Sequence, residues 1–309
     1  MENGYEYFIT ELVKKLMEAT GYGENRIFFR KQGEIPLADG DRLYIVVAEQ
    51  GKSHEACGFH VKKLYDQFMK GELLEDIVVG LLEEAERAKR SDFVKKAMDI
   101  RDYEKVKENL FVKLMNAEYC CNYLDGVLYQ TVGDIAMVLH LKLGEEKGGL
   151  VCMKVRKEIA EQWGISEGCL LREALKNTAV MMPPILIYFR KYLEQPEYTG
   201  EEFMDIFPET TEEDRRSGIC LTTTEKTGGA AAAFFPGVAE RLGTIMGGNF
   251  LIAFTSIHEA MLHKEENISA EEVSFLLKST VRECTPEEDF LTNRVYRYDR
   301  EKKRFTCLQ

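Results

Sequence analysis

Short apolar runs, each bounded by glycine or polar turn residues, recur along this chain. Leu43–Ala48 is one such run, and "FLIAF" at 250–254 is another, preceded by Gly247 and Gly248. Apolar runs of four to eight residues between turn signals are typical of strands buried on both faces. The pattern therefore predicts sheets of short strands, with Leu43–Ala48 as a central strand.

Amphipathic segments with helical spacing lie between these runs. "LLEDIVVGLLEEAERA" is the clearest, and residues 5–20 carry apolar side chains on one helical face. Two further stretches predict hairpins, one around "GEEKGG" and one around "REKK". The chain is therefore predicted to be α+β, with mixed or antiparallel sheets, packed helices and strand-hairpin-helix units.

A charged segment at 91–100 suggests a division of the chain. Residues 1–98 are predicted to form a unit of one helix, three strands and a second helix. Residues 99–309 are predicted to form a larger α+β domain that ends in a hairpin at "RVYRYDREKKRFTCL".

Capping boxes, in which Ser or Thr precedes Glu by three residues, predict helix starts at Ser269, at Thr199 and at Thr285. Ser269 with Glu272 begins a helix over 269–283. Its predicted core face comprises Val273, Leu276, Leu277 and Thr280. Thr199 with Glu202 begins a short helix in the polar connector that includes "DIFPETTEEDRRSG". Its acidic cluster is interpreted as a solvated surface, and comprises Asp205, Glu209, Glu212, Glu213 and Asp214.

The charge balance argues against nucleic acid as a partner. The chain has 41 Lys and Arg, 53 Asp and Glu and a formal net charge of -12, and its densest basic stretch alternates with acids. No apolar run has the length needed to span a bilayer, so no membrane partner is predicted. The eight cysteines contain no C-x-x-C pair, and no secretory signal is recognised at the first residues. Reduced thiols in the cytoplasm are therefore expected.

The segment "IHEAMLH" raises the question of a metal site, because zinc metalloproteases carry H-E-x-x-H on a helix. In that motif the histidines lie four residues apart, on one helical face. His258 and His263 lie five apart, which separates them by about 140° on a helix and places them on opposite faces of a strand. We predict no metal site, and no cofactor.

The candidate ligand-binding residues are Ser256, His258 and Glu259, together with the turn at Gly228 and Gly229. Serine beside histidine can form an activated nucleophile, although neighbours on one strand seldom have the required hydrogen-bond direction. The glycine pair in "EKTGGAAAAFFPG" resembles a phosphate-binding loop but lacks G-x-x-x-x-G-K-[ST]. The alternatives are a half-buried histidine bonded to backbone and a tight turn. No catalytic residue is assigned.

Several stretches together resemble an uncharacterised bacterial family, mostly from gut anaerobes, known as domain of unknown function 5688. They are "DYEKVKENLFVKLMNAE", "DIAMVLHL", "EQWGISE", "GAAAAFFPGVAERLG", "GGNFLIAFTSIHEAML" and "TPEEDFLTNRVYRYDRE". Ser256, Ile257, His258 and Glu259 match a family motif in which Pro stands at the position of Thr255. The resemblance covers nearly the whole chain. It implies a cytosolic α+β protein, and it implies no established activity.

These observations predict a non-enzymatic binding or adaptor protein whose partner is another protein. The alternative is a hydrolase-like or small-ligand-binding protein with its site around Ser256, His258 and Glu259. An enzyme would place those side chains in a concave pocket beside a second carboxylate or amide. An adaptor would expose an apolar patch or a sheet edge.

Overall fold

The computed structural model describes residues 2–31, 40–50, 53–89, 96–146 and 149–308. Positions 91–95 of the charged segment and positions 147–148 of the "GEEKGG" turn lie outside these ranges. The chain divides into two compact units. The first comprises Met1–Asp102 and Leu143–Val151, and the second comprises Tyr103–Lys142 and Cys152–Gln309. The described residues form helices and antiparallel sheets, so the predicted α+β class is confirmed.

The first unit is a three-stranded antiparallel sheet packed with helices. Its elements are α1 (Glu2–Thr20), β1 (Ile27–Arg30), β2 (Arg42–Gln50), β3 (Ser53–His60), α2 (Val61–Met69) and α3 (Leu74–Lys89). The strand order β1-β2-β3 places β2 in the centre, as the apolar run Leu43–Ala48 predicts. Leu12 and Leu16 of α1 and Leu81 of α3 are buried with the sheet residue Ile45, and this cluster is the core of the unit.

The second unit contains two sheets. Its helices are α4 (Tyr103–Val106), α5 (Lys157–Gln162), α6 (Glu167–Met181), α7 (Phe189–Glu194), α8 (Glu212–Ser217), α9 (Val238–Met246) and α10 (Ala270–Cys284). The smaller sheet has the order β4-β6-β5, with β7 also paired to β6. Its strands are β4 (Leu110–Asn116), β5 (Tyr129–Val132), β6 (Ile135–Glu146) and β7 (Gly149–Lys154), of which residues 143–146 and 149–151 are assigned to the first unit.

The larger sheet of the second unit has the strand order β14-β13-β11-β12-β10-β8-β9, and its neighbouring strands are antiparallel. The strands are β8 (Pro184–Tyr188), β9 (Glu201–Glu202), β10 (Ile219–Thr223), β11 (Phe250–Phe254), β12 (Ala260–Lys264), β13 (Val295–Asp299) and β14 (Arg304–Cys307). Leu251 and Ala253 of β11 pack against Val273 and Leu277 of α10. Alternate β11 residues face the other side, where the Phe254 ring stacks on an aromatic neighbour.

The segment from Asn249 to His263 forms a hairpin and no helix. β11 and β12 pair in register, with Ile252 opposite Leu262, and residues 255–259 connect them. Ala260 and Leu262 are fully buried, as the expected alternation along β12 requires. The sequence pattern of Asn249–His263 predicts two extended segments bent near Thr255–Ser256. That bend is confirmed, but the second strand begins at Ala260, so residues 256–259 form a loop.

The capping box of α10 is confirmed, but its predicted core face is wrong in part. The Ser269 hydroxyl accepts from the Glu272 backbone N–H, and the Glu272 carboxylate accepts in return. Leu277 is buried, whereas Leu276 is 50% exposed and Thr280 is also exposed. Because α10 packs through the side that also carries Val281, the contact stripe is rotated away from Leu276.

The connector before β10 differs from its prediction in two ways. The short helix begins at the Thr211–Asp214 capping box, whereas Glu202 lies in strand β9. Asp214 is also buried, so one member of the acidic cluster is not a solvated surface residue. Its carboxylate accepts from the Thr211 hydroxyl at 2.7 Å and from the Arg190 guanidinium at 3.1 Å. These donors lower the pKa of Asp214 against the opposing effect of burial.

Within the described part of the chain, no helix has both the length and the apolar character that a membrane crossing requires.

Candidate functional site

Three loops meet at one end of the larger sheet in the second unit. The turn after β10 leads into a 3-10 helix at Gly229–Phe234, the second loop joins β11 to β12, and the third is the 3-10 helix Glu287–Asp289. Backbone hydrogen bonds join them: Ala230 N–H donates to the Ile257 carbonyl, and Ile257 N–H donates to the Asp289 carbonyl. The loop with the sequence-predicted residues is therefore held from both sides.

The imidazole of His258 forms a hydrogen bond through each ring nitrogen. Nδ1 lies 2.9 Å from the backbone nitrogen of Gly228, which can only donate, so Nδ1 is the unprotonated acceptor. Nε2 lies 3.1 Å from Oδ1 of Asp289 and donates to that carboxylate. The two bonds fix the tautomer and the ring orientation. We call this arrangement of Gly228, His258 and Asp289 the histidine clamp.

Ser256 and Glu259 lie beside His258 in the sequence, and the described hydrogen bonds of their side chains do not involve the His258 imidazole. The Ser256 hydroxyl oxygen accepts from the backbone N–H of His258 at 3.0 Å, which closes a tight turn. The Glu259 side chain is exposed, and its Oε1 accepts from the Thr255 hydroxyl at 3.1 Å. A hydrolytic triad would require an imidazole nitrogen that accepts the serine proton, and both nitrogens of His258 already have other partners.

Gly228 and Gly229 are each required for a different structural reason. Gly228 has φ of +64°, a left-handed conformation that glycine adopts without strain. At Gly229 the reason is close packing: an added Cβ would lie 2.5 Å from the His258 carbonyl oxygen and 2.8 Å from the Thr223 nitrogen. The Thr222 hydroxyl, which donates to the same His258 carbonyl at 2.9 Å, is closer still to that position. The pair therefore allows the turn to approach the β11–β12 loop.

Cys220 contacts Glu259, and its environment is poorly suited to nucleophilic chemistry. It lies on β10, with Sγ 3.7 Å from Oε2 of Glu259. Burial raises the pKa of the Cys220 thiol, and the Glu259 carboxylate raises it further. Since the thiolate is the reactive form, this environment favours an inert thiol.

The two histidines of the "IHEAMLH" segment have separate surroundings. His258 lies in the loop, whereas His263 lies on β12 opposite Leu251 of β11. Burial lowers the pKa of His263. In the part of the chain that the structure describes, no three His, Cys, Asp or Glu side chains are grouped closely enough to hold a metal ion.

A buried polar network in the second unit has no counterpart in the sequence analysis. The Asp134 carboxylate accepts from the hydroxyls of Tyr296, at 2.5 Å, and Thr292, and from the Asn116 amide. Burial raises the pKa of Tyr296, and Asp134 raises it further. Asp134 follows Gly133 in the two-residue turn between β5 and β6, which is the local signal that could have located it. Thr292 and Tyr296 lie about 160 residues away along the chain, whereas Asn116 lies 18 residues away.

An apolar groove of about 460 Å³ lies in the first unit, between α1 and the connection from α2 to α3. Phe8 contributes to its floor, and the Phe8 and Phe68 ring centroids are 5.2 Å apart. Tyr7 and Leu73 line it, and Met69 follows Phe68. Tyr7, Met69 and Leu73 are 66, 65 and 63% exposed. The sequence alone does not identify this groove as a binding surface, because each of these residues lies in an ordinary amphipathic pattern.

The fold and these sites define a two-unit α+β chain with a braced loop cluster in one unit and an exposed apolar groove in the other. A family model described as "Family of unknown function (DUF5688)" matches residues 5–300. The chain belongs to that family, which confirms the resemblance inferred from its sequence motifs. It matches no curated protein and no solved structure.

Proposed function

We propose that the chain is a non-enzymatic protein-binding module and that the groove between α1 and the α2–α3 connection is its contact surface. The observation that carries the proposal is the exposure of Tyr7 and Leu73 on one concave surface, with the exposed Met69 next in sequence to Phe68 of the same surface. Large apolar side chains scattered singly on a surface need no explanation, but a contiguous patch with a polar rim is typical of an interaction site. Aromatic residues and methionine are also enriched in protein interfaces.

The geometry of the histidine clamp gives separate support to a non-enzymatic function. A histidine that acts as a general base must have a ring nitrogen whose lone pair is free and directed at the proton that it removes. The Nδ1 of His258 accepts from the Gly228 backbone, and its Nε2 donates to Asp289. Asp289 does supply the second carboxylate expected of a hydrolase, and it accepts from Nε2 of His258. The other ring nitrogen, Nδ1, is already bonded to Gly228. The contacts favour loop fixation over the hydrolase-like or small-ligand-binding alternative.

The state of the cysteines supports a cytoplasmic location. All eight cysteines lie in the described part of the chain, and all are free thiols. Cys121, Cys169 and Cys284 are exposed, and would be open to oxidation in an oxidising compartment. A reducing cytoplasm maintains such thiols without a pairing partner.

The proposal is tested by capture of partner proteins from native cells with matched variants of the full chain. Leu73→Asp places a carboxylate in the groove, and Val79→Asp makes the same change at an exposed apolar site on α3 that does not line it. A specific partner should bind the wild type and Val79→Asp and be lost with Leu73→Asp, while both variants retain the wild-type circular dichroism. Partners that bind all three proteins equally would contradict the proposed surface.

A further inference from the structure

We infer that the occupant of the groove is an amphipathic α-helix with Lys or Arg on the flanks of its apolar face. This inference rests on the proposed function, because it specifies the chemistry of the partner for the same groove.

The walls of the groove favour a helix over an extended peptide. They are built from α1, the end of α2, the start of α3 and the connection at 71–73. Backbone groups are hydrogen-bonded along the helices, and in the connection the N–H groups of Gly71 and Glu72 donate to carbonyls of α2. A peptide strand that adds to a sheet needs an edge strand whose backbone groups can pair with it. A helix satisfies its own backbone and binds through side chains alone, which is the kind of contact that a surface of apolar side chains provides.

The length of the groove sets the size of the helical contact. Its lining residues on α1 run from Tyr7 to Lys15, which is about 12 Å along a helix axis. Apolar anchors at positions i, i+3 or i+4, and i+7 of a partner helix span about 10 Å. Two turns of an amphipathic helix therefore match the groove.

The charge on the rim favours basic flanks. Among the described residues that line the groove, the charged side chains are Glu11, Glu72, Glu75 and Lys15. Nζ of Lys15 lies 2.8 Å from Oε1 of Glu75, so the sole ammonium is held by one of the three carboxylates. The groove thus carries an excess of two negative charges next to its apolar surface. A partner with Lys or Arg beside its apolar stripe complements this pattern.

Charge also argues against a second copy of this chain as the occupant. Each copy has a formal net charge of -12, and an isologous contact would bring the same acidic rim onto itself. Like charges at a contact oppose association. A basic helix from a different protein avoids this repulsion.

The inference is tested by selection from a displayed library of helical peptides. The library has a fixed apolar stripe at i, i+3, i+4 and i+7, and Lys, Glu or Gln varied at the flanks. A second library of the same size presents extended peptides. Both are selected on the wild-type full chain and counter-selected on Leu73→Asp, with Tyr7→Ser as a second groove variant.

We expect groove-dependent binders to come from the helical library and to carry basic flanks. The double variant Glu11→Lys with Glu72→Lys should weaken a basic peptide about ten-fold relative to wild type, through two opposite-charge contacts. It should strengthen the peptide with Glu at the same flank positions. The preference should diminish in high salt.

The other outcomes separate this inference from the proposed function. Groove-dependent binders that are extended, or that show no preference for basic flanks, would overturn the helix inference and leave the proposed function in place. If the binders recovered before counter-selection bind Leu73→Asp and Tyr7→Ser as well as the wild type, or if there are no binders at all, both the inference and the proposed function would be contradicted. Concentration-dependent dimerisation abolished by Leu73→Asp would identify a second copy as the occupant and overturn the inference.

Discussion

Replacement of His258 by alanine removes both hydrogen bonds of the histidine clamp, and we expect it to destabilise the second unit. The lost contacts are the 2.9 Å bond from Gly228 N–H and the 3.1 Å bond to Asp289. A hydrogen bond contributes about 0.5–1.5 kcal/mol net. Both side chains are partly exposed, so water replaces some of what is lost, and the imidazole with its unprotonated Nδ1 is neutral, so no ion pair adds to the two bonds. The expected decrease in the free energy of unfolding is therefore about 1–2 kcal/mol, in the lower part of the range for two hydrogen bonds.

Conservative variants separate the two bonds. In His258→Asn the amide oxygen can take the place of Nδ1 and accept from Gly228, while the bond to Asp289 is lost. The cost should therefore be intermediate, at roughly half that of His258→Ala. A double-mutant cycle with Asp289→Ala measures the pair directly, and we expect a coupling energy of about 0.5–1.5 kcal/mol.

The chain provides its own probe for this measurement. Trp163 is the single tryptophan and lies in the second unit, so its fluorescence during urea unfolding reports on the unit that contains the clamp. A local probe matters because two units need not unfold in one transition. An unfolding free energy that is unchanged in His258→Ala, or a coupling energy near zero, would refute the role of the clamp. Zinc bound in stoichiometric amount and lost with His258→Ala would refute it independently.

Three further predictions use the same assay. Gly229→Ala should cost well over 2 kcal/mol of stability, because the added Cβ would overlap backbone atoms. Gly228→Ala should cost only about 1 kcal/mol, because no atom lies within 4 Å of the added Cβ and only the positive φ is strained. Equal costs would contradict this reasoning. Leu277→Ala should cost about 2–5 kcal/mol and the half-exposed Leu276→Ala under about 1 kcal/mol; a reversed order would place the other residue in the core. Burial lowers the pKa of His140 to about 3, whereas its value in the unfolded chain is about 6.5. The unfolded chain therefore binds the proton first as the pH falls. The free energy of unfolding should decrease below about pH 6.5, by about 2 kcal/mol at pH 5. His140→Phe should flatten that slope, and an unchanged slope would exclude His140 as its source.

Strand positions in the β11–β12 hairpin could be predicted because the signal is local. "FLIAF" has no polar residue and follows two glycines, and alternation along β12 correctly places Ala260 and Leu262 on the buried side. The same reasoning failed for the packed face of α10. Val273 and Leu277 fit a stripe shared with Leu276 and also a stripe shared with Val281. Only the sheet onto which the helix packs selects between them.

Capping boxes illustrate a similar limit. Thr199 with Glu202 and Thr211 with Asp214 have the same spacing, and both precede polar sequence. The structure uses only the second, because Glu201 and Glu202 pair with β8 and the adjacent Phe203 is fully buried. The gain from burying an aromatic ring, about 2–3 kcal/mol, exceeds the worth of one helix cap, about 1 kcal/mol. Tertiary packing therefore decides which cap forms.

The loop cluster shows how far residue types alone can locate a candidate site. Ser256, His258 and the glycine pair were singled out because their types occur in catalytic and phosphate-binding sites. The fold does bring His258 to Gly228, yet the third partner, Asp289, lies 31 residues beyond His258 and follows two other acids, Glu287 and Glu288. No local pattern distinguishes it. The groups could form a base and its orienting acid, but the Gly228 N–H donates to the nitrogen that a base would need, and this geometry supports the proposed bracing role. The groove of the first unit is the opposite case. The types of its exposed residues do not indicate a site, and only the fold brings these residues together on one surface.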